Sequence, residues 1–245
     1  MNEYEGEGTD AYRTTAEFYD ILQAERDGRL VARLYGARVA AARGAVVDVG
    51  AGSGTVSLMA LACSGAPVHA VEPSAVMRSL LLTRLAWSRP DRRARVTVHP
   101  GTLPEAELPD SSVELVVCHN VVPTLDDAAR GELWEAAARV LEPGGLLLMD
   151  RPRARAPREA EVAVFTPVRV GDDTYEGEVR EAACEAGAEL AFTYTVRRGE
   201  RVVRRRGERF LTRMLPLEKL TGELGGRGLR WEETGERVLV ARRER

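Results

Sequence analysis

Val46-Val47-Asp48-Val49-Gly50-Ala51-Gly52-Ser53-Gly54-Thr55 decides how this chain is read. Ala45–Val49 is a short apolar run suited to a buried strand, and Thr55–Cys63 after the glycines has the character of a helix. Glycine lacks a Cβ and tolerates positive φ, so backbone can approach a ligand closely where strand gives way to helix. In a doubly wound sheet that place, the carboxyl end of a strand, is where ligands bind. The spacing is Gly-x-Gly-x-Gly. It is neither the G-x-G-x-x-G of a dinucleotide fingerprint nor the G-x-x-x-x-G-K of a phosphate loop.

Outward from the loop, strands and helices alternate. Val68–Val71 predicts a second strand ending at Glu72, and Ser74–Trp87 a helix. Val96–His99 and Val113–Cys118 predict the third and fourth strands, Asp127–Leu141 a helix with Asp126-Asp127 as its cap, and Gly145–Met149 a fifth strand after a Glu142-Pro143-Gly144-Gly145 turn. This is the pattern of right-handed βαβ units in a parallel sheet, and near-continuous apolar strands fit a sheet covered on both faces. Upstream, Asp10–Ala42 reads as helix, started by a Thr14-Thr15-Ala16-Glu17 capping box and broken at Asp27-Gly28.

From Arg153 to about Arg213 the period changes to two. Leu190, Phe192, Tyr194 and Val196 share one face of a strand, and Gly171-Asp172-Asp173, Glu185-Ala186-Gly187 and Arg198-Gly199-Glu200 are turn sequences. An inserted antiparallel sheet of three or four strands is expected. A helix over Leu217–Leu224 and two closing strands, Leu229–Glu233 and Arg237–Ala241, complete a seven-stranded sheet.

The 245 residues allow one domain with an elaboration. Residues 1–150 hold 14 basic and 21 acidic side chains (−7) and residues 151–245 hold 21 and 17 (+4), which together give the net charge of −3. That balance gives no footprint for nucleic acid. Arg197-Arg198 and Arg204-Arg205-Arg206 would suit an anionic substrate group, but alternation with Glu200 and Glu208 favours a solvated face. Three scattered cysteines, Cys63, Cys118 and Cys184, form no disulfide framework or metal-ligand pattern, so no metal and a reducing cytoplasm are expected. Met1–Gly8 is acidic, unlike a signal peptide, and no apolar run is long enough for a membrane span.

Glu72, 18 residues beyond Gly54 at the end of the second strand, is placed to accept hydrogen bonds from ribose hydroxyls; capping the next helix is its plainer reading. With the loop and Glu72, two further segments, Leu108-Pro109-Asp110-Ser111-Ser112-Val113-Glu114-Leu115-Val116-Val117 and Val140-Leu141-Glu142-Pro143-Gly144-Gly145, stand in order and spacing. The chain resembles the class I S-adenosylmethionine-dependent methyltransferases, over most of residues 10–152. The resemblance implies an α/β, doubly wound Rossmann-like seven-stranded sheet, with an N-terminal helical lid over residues 1–43 and a core over 44–152 and 214–245. The antiparallel insertion, 153–213, would follow the fifth strand. It is similar to that of bacterial small-molecule enzymes, the amino-sugar and glycine type N-methyltransferases, where such strands roof the active site or form a dimer contact. A homodimer through the insertion is therefore expected.

Carried onto this sequence, the resemblance implies S-adenosyl-L-methionine as cofactor. Gly50, Ala51 and Gly52 would line its methionine and ribose parts, with Asp48 counted in the same motif, and Glu72 would hold the ribose. Pro73 and Met77 would flank adenine. Many relatives have Gly-Asp-Ala where this chain has Gly101-Thr102-Leu103, so the Thr102 hydroxyl or the Leu103 N–H would serve the adenine. His119 and Asn120, after the fourth strand, would face the sulfonium. His119 is the candidate base, though hydrogen bonding to backbone or cofactor is an equal reading. Tyr19 joins it in the candidate catalytic set and, with Tyr12, would close over the cofactor; core packing is the plainer reading of both.

The expected function is transfer of a methyl group to an N or O nucleophile of a small molecule, in bacterial secondary metabolism, with neither nucleic acid nor membrane as partner. Methylation of RNA or protein remains open, although no N-P-P-Y-like motif follows the fourth strand, where Cys118-His119-Asn120-Val121 stands. A cofactor-binding protein without transferase activity satisfies the loop and Glu72 equally well.

Overall fold

A computed structural model describes residues 11–232 and 237–244. The acidic Met1–Gly8 and Glu233, the predicted end of the penultimate strand, lie outside the described residues. The chain begins with α1 (Thr15–Ala41), then runs β1 (Ala45–Val49), α2 (Thr55–Cys63), β2 (Val68–Glu72), α3 (Ala75–Ala86), a single turn α4 (Pro90–Arg93) and β3 (Val96–Pro100). It continues through β4 (Val113–Cys118), α5 (Asp127–Val140) and β5 (Leu141–Asp150). Five antiparallel strands follow: β6 (Glu161–Val164), β7 (Val168–Val170), β8 (Asp173–Cys184), β9 (Gly187–Arg198) and β10 (Arg201–Thr212). α6 (Leu217–Gly225), β11 (Leu229–Glu232) and β12 (Val238–Arg243) close the core.

The main sheet has the order β11-β12-β5-β4-β1-β2-β3. β1 to β5 pair in parallel, and β12 runs antiparallel beside β5. Strand period two divides its side chains between two apolar layers. Val47, Val49, Val116, Leu147 and Met149 pack with Trp134 and Val140 of α5 and Leu220 of α6. Val46, Leu115, Val117 and Leu148 pack with Val31, Tyr35 and Val39 of α1, Ala60 of α2 and Leu81 of α3.

Three local expectations are corrected. α1 is unbroken at Asp27-Gly28, because Asp27 is buried on a wall of the site and the helix on both sides is held by packing; tertiary contact outweighs glycine's weak helix propensity. Its start is not a capping box, since the Thr14 side chain makes no cap bond. Instead the Glu208 carboxylate of β10 accepts the N–H groups of Thr14 and Thr15, at 3.3 and 2.7 Å. The insertion has five strands rather than three or four, in the order β10-β9-β8-β6 with β7 also on β8. β6 and β7 escaped notice because they are short, and mostly exposed, so no apolar period marks them.

The N-terminal half of α1 packs on this second sheet. Phe18 stacks on Tyr194 with ring centroids 4.6 Å apart, and Leu22, Phe165 and Val196 join them. Gly177 permits the approach: a Cβ there would lie 2.9 Å from Leu22 Cδ1 and 2.7 Å from Phe165. One helix thus belongs to the core at one end and to the insertion at the other. Their shared edge is the site.

Candidate active site

Beyond the carboxyl ends of β1, β2 and β4 lies a cavity of about 520 Å³. Gly50, Gly52, Glu72, Pro73, Met77, Thr102, Leu103, His119 and Asn120 all line it, as do Tyr12 and Tyr19. Asp48 and Ala51 do not. Asp48 is 1% exposed, and its carboxylate accepts hydrogen bonds from the N–H and hydroxyl of Ser57, at 2.9 and 2.7 Å. It pins the first turn of α2 beneath the loop. Ala51 is buried, with its N–H given to the Val71 carbonyl at 3.0 Å.

The loop keeps its shape because its glycines are irreplaceable where they stand. Gly50 has φ +63°, and a Cβ there would sit 2.4 Å from Val121 Cγ2. Glu72, 4% exposed, accepts the N–H of Gly52 at 2.7 Å and that of Ser74 at 2.8 Å. Those bonds orient the carboxylate against the loop; Ser74, not Glu72, accepts the cap bond of α3. Thr102 donates both its N–H and its hydroxyl to Glu105, at 2.7 and 2.8 Å. Its hydroxyl hydrogen is thereby committed, while its lone pairs can still accept.

His119 sits where β4 ends. Its Nδ1 is 3.2 Å from the Tyr35 hydroxyl and 3.7 Å from Asp150 Oδ1, and its Nε2 is 3.3 Å from Asn120 Nδ2. Asn120 adopts φ +58° and donates its N–H to Asp150 at 2.7 Å. Burial holds the His119 pKa below the usual value, against the pull of Asp150 and Asp27 toward protonation. The imidazole is therefore neutral near pH 7 and can accept a proton. Burial, with Asp27 next, pushes the Tyr19 phenol well up, so Tyr19 is a donor and not a base. It gives its hydroxyl to Asp27 at 3.3 Å.

The rest of the lining comes from α1, from α5 with the turn before it, and from the inserted sheet. Leu190, Phe192, Phe210 and Thr212 line it together with Leu125, Leu133 and Glu132, and Phe210 stacks on Tyr12 at 4.9 Å. From α1 come Thr15, Gln23, Arg26 and Asp27. Sequence reading missed these α1 residues by taking Asp27-Gly28 as a break. The signal available was the four-residue step Thr15, Tyr19, Gln23, Asp27, which puts all four on one helix face. The arginine runs do not reach the cavity: Arg197 pairs with Glu176 at 3.0 Å, Arg198 with Asp173 at 2.8 Å, and Arg204 with Glu17. Among the described residues no group of three or more metal-ligating side chains occurs, and no helix is long and apolar enough to cross a membrane.

Residues 46–145, which carry the loop, Glu72 and His119, match the family described as "Methyltransferase domain". The matched segment runs from β1 into β5, and α1 and the inserted sheet lie outside it. A dimethylglycine N-methyltransferase from Parasynechococcus marenigrum (strain WH8102) is 31% identical over 111 residues, 45% of this chain and 38% of that protein. The chain thus matches less than two fifths of the length of this curated relative. Whole-chain similarity is structural. An amino pentose methyltransferase from Micromonospora echinaspora, solved with S-adenosylmethionine bound and involved in calicheamicin biosynthesis, superposes with a TM-score of 0.71 at 18% identity, covering 98% of this chain and 99% of that one. A sugar N-methyltransferase from a Streptoalloteichus species gives 0.71 at 18%, covering 100% and 98%. These likenesses extend over α1 and the inserted sheet and establish the fold of the whole chain.

Proposed function

We propose that the chain is an S-adenosylmethionine-dependent methyltransferase acting on an N or O nucleophile of a small molecule, in bacterial secondary metabolism. One observation carries this reading: a single cavity joins the glycine loop and Glu72 to an apolar chamber made by the inserted sheet, with His119 lining it. The residues present fit the cofactor. Glu72 is fixed by two backbone N–H groups beside the loop, Met77 and Leu103 offer buried apolar surface for a base, and Gly50 and Gly52 bare the backbone. Asp27, Glu72 and Glu132 outnumber Arg26 among the charged lining residues, which suits a cationic ligand.

Bound there, the cofactor supplies an electrophilic methyl group on a sulfonium. The chain's own task is positioning and exclusion of water. Phe192, Phe210 and Leu133 present apolar walls to an acceptor, and Tyr12 covers Phe210. The neutral His119 imidazole is the acceptor for the proton of a hydroxyl nucleophile, or for the proton an ammonium must lose before its nitrogen can attack; Tyr35 and Asp150 flank its Nδ1 and Asn120 its Nε2. A small acceptor is favoured over RNA or protein because the inserted sheet and α1 both wall the chamber. Calorimetric titration with S-adenosylhomocysteine tests the cofactor: Glu72→Ala should lose about 1–3 kcal/mol of binding, and unchanged affinity removes Glu72 from the site. His119→Ala should lower turnover far more than that affinity; equal losses would make it a binding residue.

We further propose that two copies pair through the outer face of the inserted sheet. Exposed Val164 and Val202 line a groove there with Glu178 and Arg205, beside the Glu176–Arg197 pair, and apolar side chains among charges of both signs can be self-complementary across a two-fold axis. Light scattering should give twice the chain mass, and Val164→Glu should return it to one.

A further inference from the structure

The face of α1 turned to the cavity is polar, which is unusual for the buried face of a helix. Thr15, Tyr19, Gln23 and Asp27 succeed one another at steps of four and all line the cavity. Gln23 and Asp27 are each 5% exposed. Asp27 is served: the Tyr19 hydroxyl reaches Oδ2 at 3.3 Å and Arg26 Nε reaches Oδ1 at 3.2 Å. Gln23 is not. Among the described residues its Nε2 has no hydrogen-bond partner, and burying an amide donor without an acceptor costs free energy that folding alone does not return.

A donor and a carboxylate one helical turn apart are complementary to an α-amino-carboxylate. The ammonium of such a group would donate to Asp27, and its carboxylate would accept from Gln23 Nε2, with the Arg26 guanidinium on the same wall. An acceptor carrying an amine alone would leave Gln23 unanswered. We propose that Tyr19, Gln23 and Asp27 form an α-amino-carboxylate site. This rests on the function proposed above, and it has two possible sources of ligand: the amino-acid arm of the cofactor, or an amino acid serving as methyl acceptor.

Titrating the full chain with S-adenosylhomocysteine and with 5′-methylthioadenosine separates them, since the second keeps the adenosine and the sulfur but has methyl in place of the amino-acid arm. If the cofactor is the source, the wild-type chain binds S-adenosylhomocysteine at least tenfold more tightly. Gln23→Leu and Asp27→Asn then each remove most of that advantage and leave methylthioadenosine binding unchanged. If the acceptor is the source, the variants spare both nucleosides but weaken binding of sarcosine or dimethylglycine to the S-adenosylhomocysteine-loaded chain severalfold. Gln23→Glu, of equal size but repelling a carboxylate, should exceed Gln23→Leu in either case, which guards against a mere packing effect. Variants that leave every affinity at the wild-type level, or that weaken both nucleosides equally, overturn the site. A wild-type chain that binds neither nucleoside overturns the cofactor reading, and the site with it.

Discussion

Burial pushes the Asp48 carboxyl up to about 7, and the two hydrogen bonds from Ser57 offset only part of that. Against an ordinary value of 3.8, the folded chain holds this proton longer than the unfolded one does. The associated stability is present in full below about pH 4 and is lost as pH rises through about 7. His69, His99 and His119 act with the opposite sign, because all three are held low, first of all by burial, and the unfolded chain takes their protons first. Thermal melts of Asp48→Asn against wild type cancel the histidines. The difference should move in favour of the variant between pH 4 and 7 and then level off. A pH-independent difference would mean that Asp48 titrates alike folded and unfolded. At this scale the sequence was legible where placement follows from strand ends: the glycines follow β1, Glu72 ends β2, and Gly50, Gly52 and Glu72 all line the cavity. The role of Asp48 was not legible, since it depends on Ser57 being aimed back beneath the loop. Nor was that of Gln23, whose meaning is a missing partner in three dimensions.

Among the elements, α1 shows what period alone leaves out. Its C-terminal half has the apolar spacing of a core helix, Val31, Tyr35 and Val39. Its N-terminal half divides between an apolar face on the inserted sheet and the polar face on the cavity, so no single stripe announces it. Its first turn is satisfied from far along the chain by Glu208, whose negative charge also suits a helix N-terminus. Glu208→Ala should cost about 1 kcal/mol, as loss of a cap does, and should speed hydrogen exchange in the first turn of α1 without changing that of β1 or β4. Faster exchange throughout the core would show that the bond holds more than a helix end. The Glu142-Pro143-Gly144-Gly145 segment taught the converse. It reads as a turn, yet it is a bulge within β5: Leu141 pairs with Val113 and Leu146 with Leu115, while the four residues between leave the ladder.

At the scale of the molecule, alternating strands and helices were enough to give the sheet, since the central strands β1, β2 and β4 are mostly apolar and buried and helices cover them. They were not enough to join the helices to one another. Arg130 of α5 is wholly buried and makes a two-pronged bond to Glu223 of α6, at 2.9 and 2.7 Å, which Trp134 Nε1 also reaches at 3.1 Å. Arg130 keeps Asp127 at 2.8 Å and the Leu125 carbonyl at 3.2 Å, so Glu223→Ala weakens its pairing without stranding it and should cost about 1–3 kcal/mol in chemical denaturation; a loss under about 0.5 kcal/mol would place the pair in effectively aqueous surroundings. The unbroken α1 has a consequence of a different kind. Twenty-seven residues make a rod about 40 Å long, seated in the core at one end and clamped to the inserted sheet at the other. A rod with no joint carries displacement along its whole length. Substitutions in β9 or β10 that tilt its clamped end would re-aim Tyr19, Gln23 and Asp27 together. Cavity shape in this architecture can therefore drift through a sheet that never changes the glycine loop, and the α1 wall need not mutate for its geometry to alter.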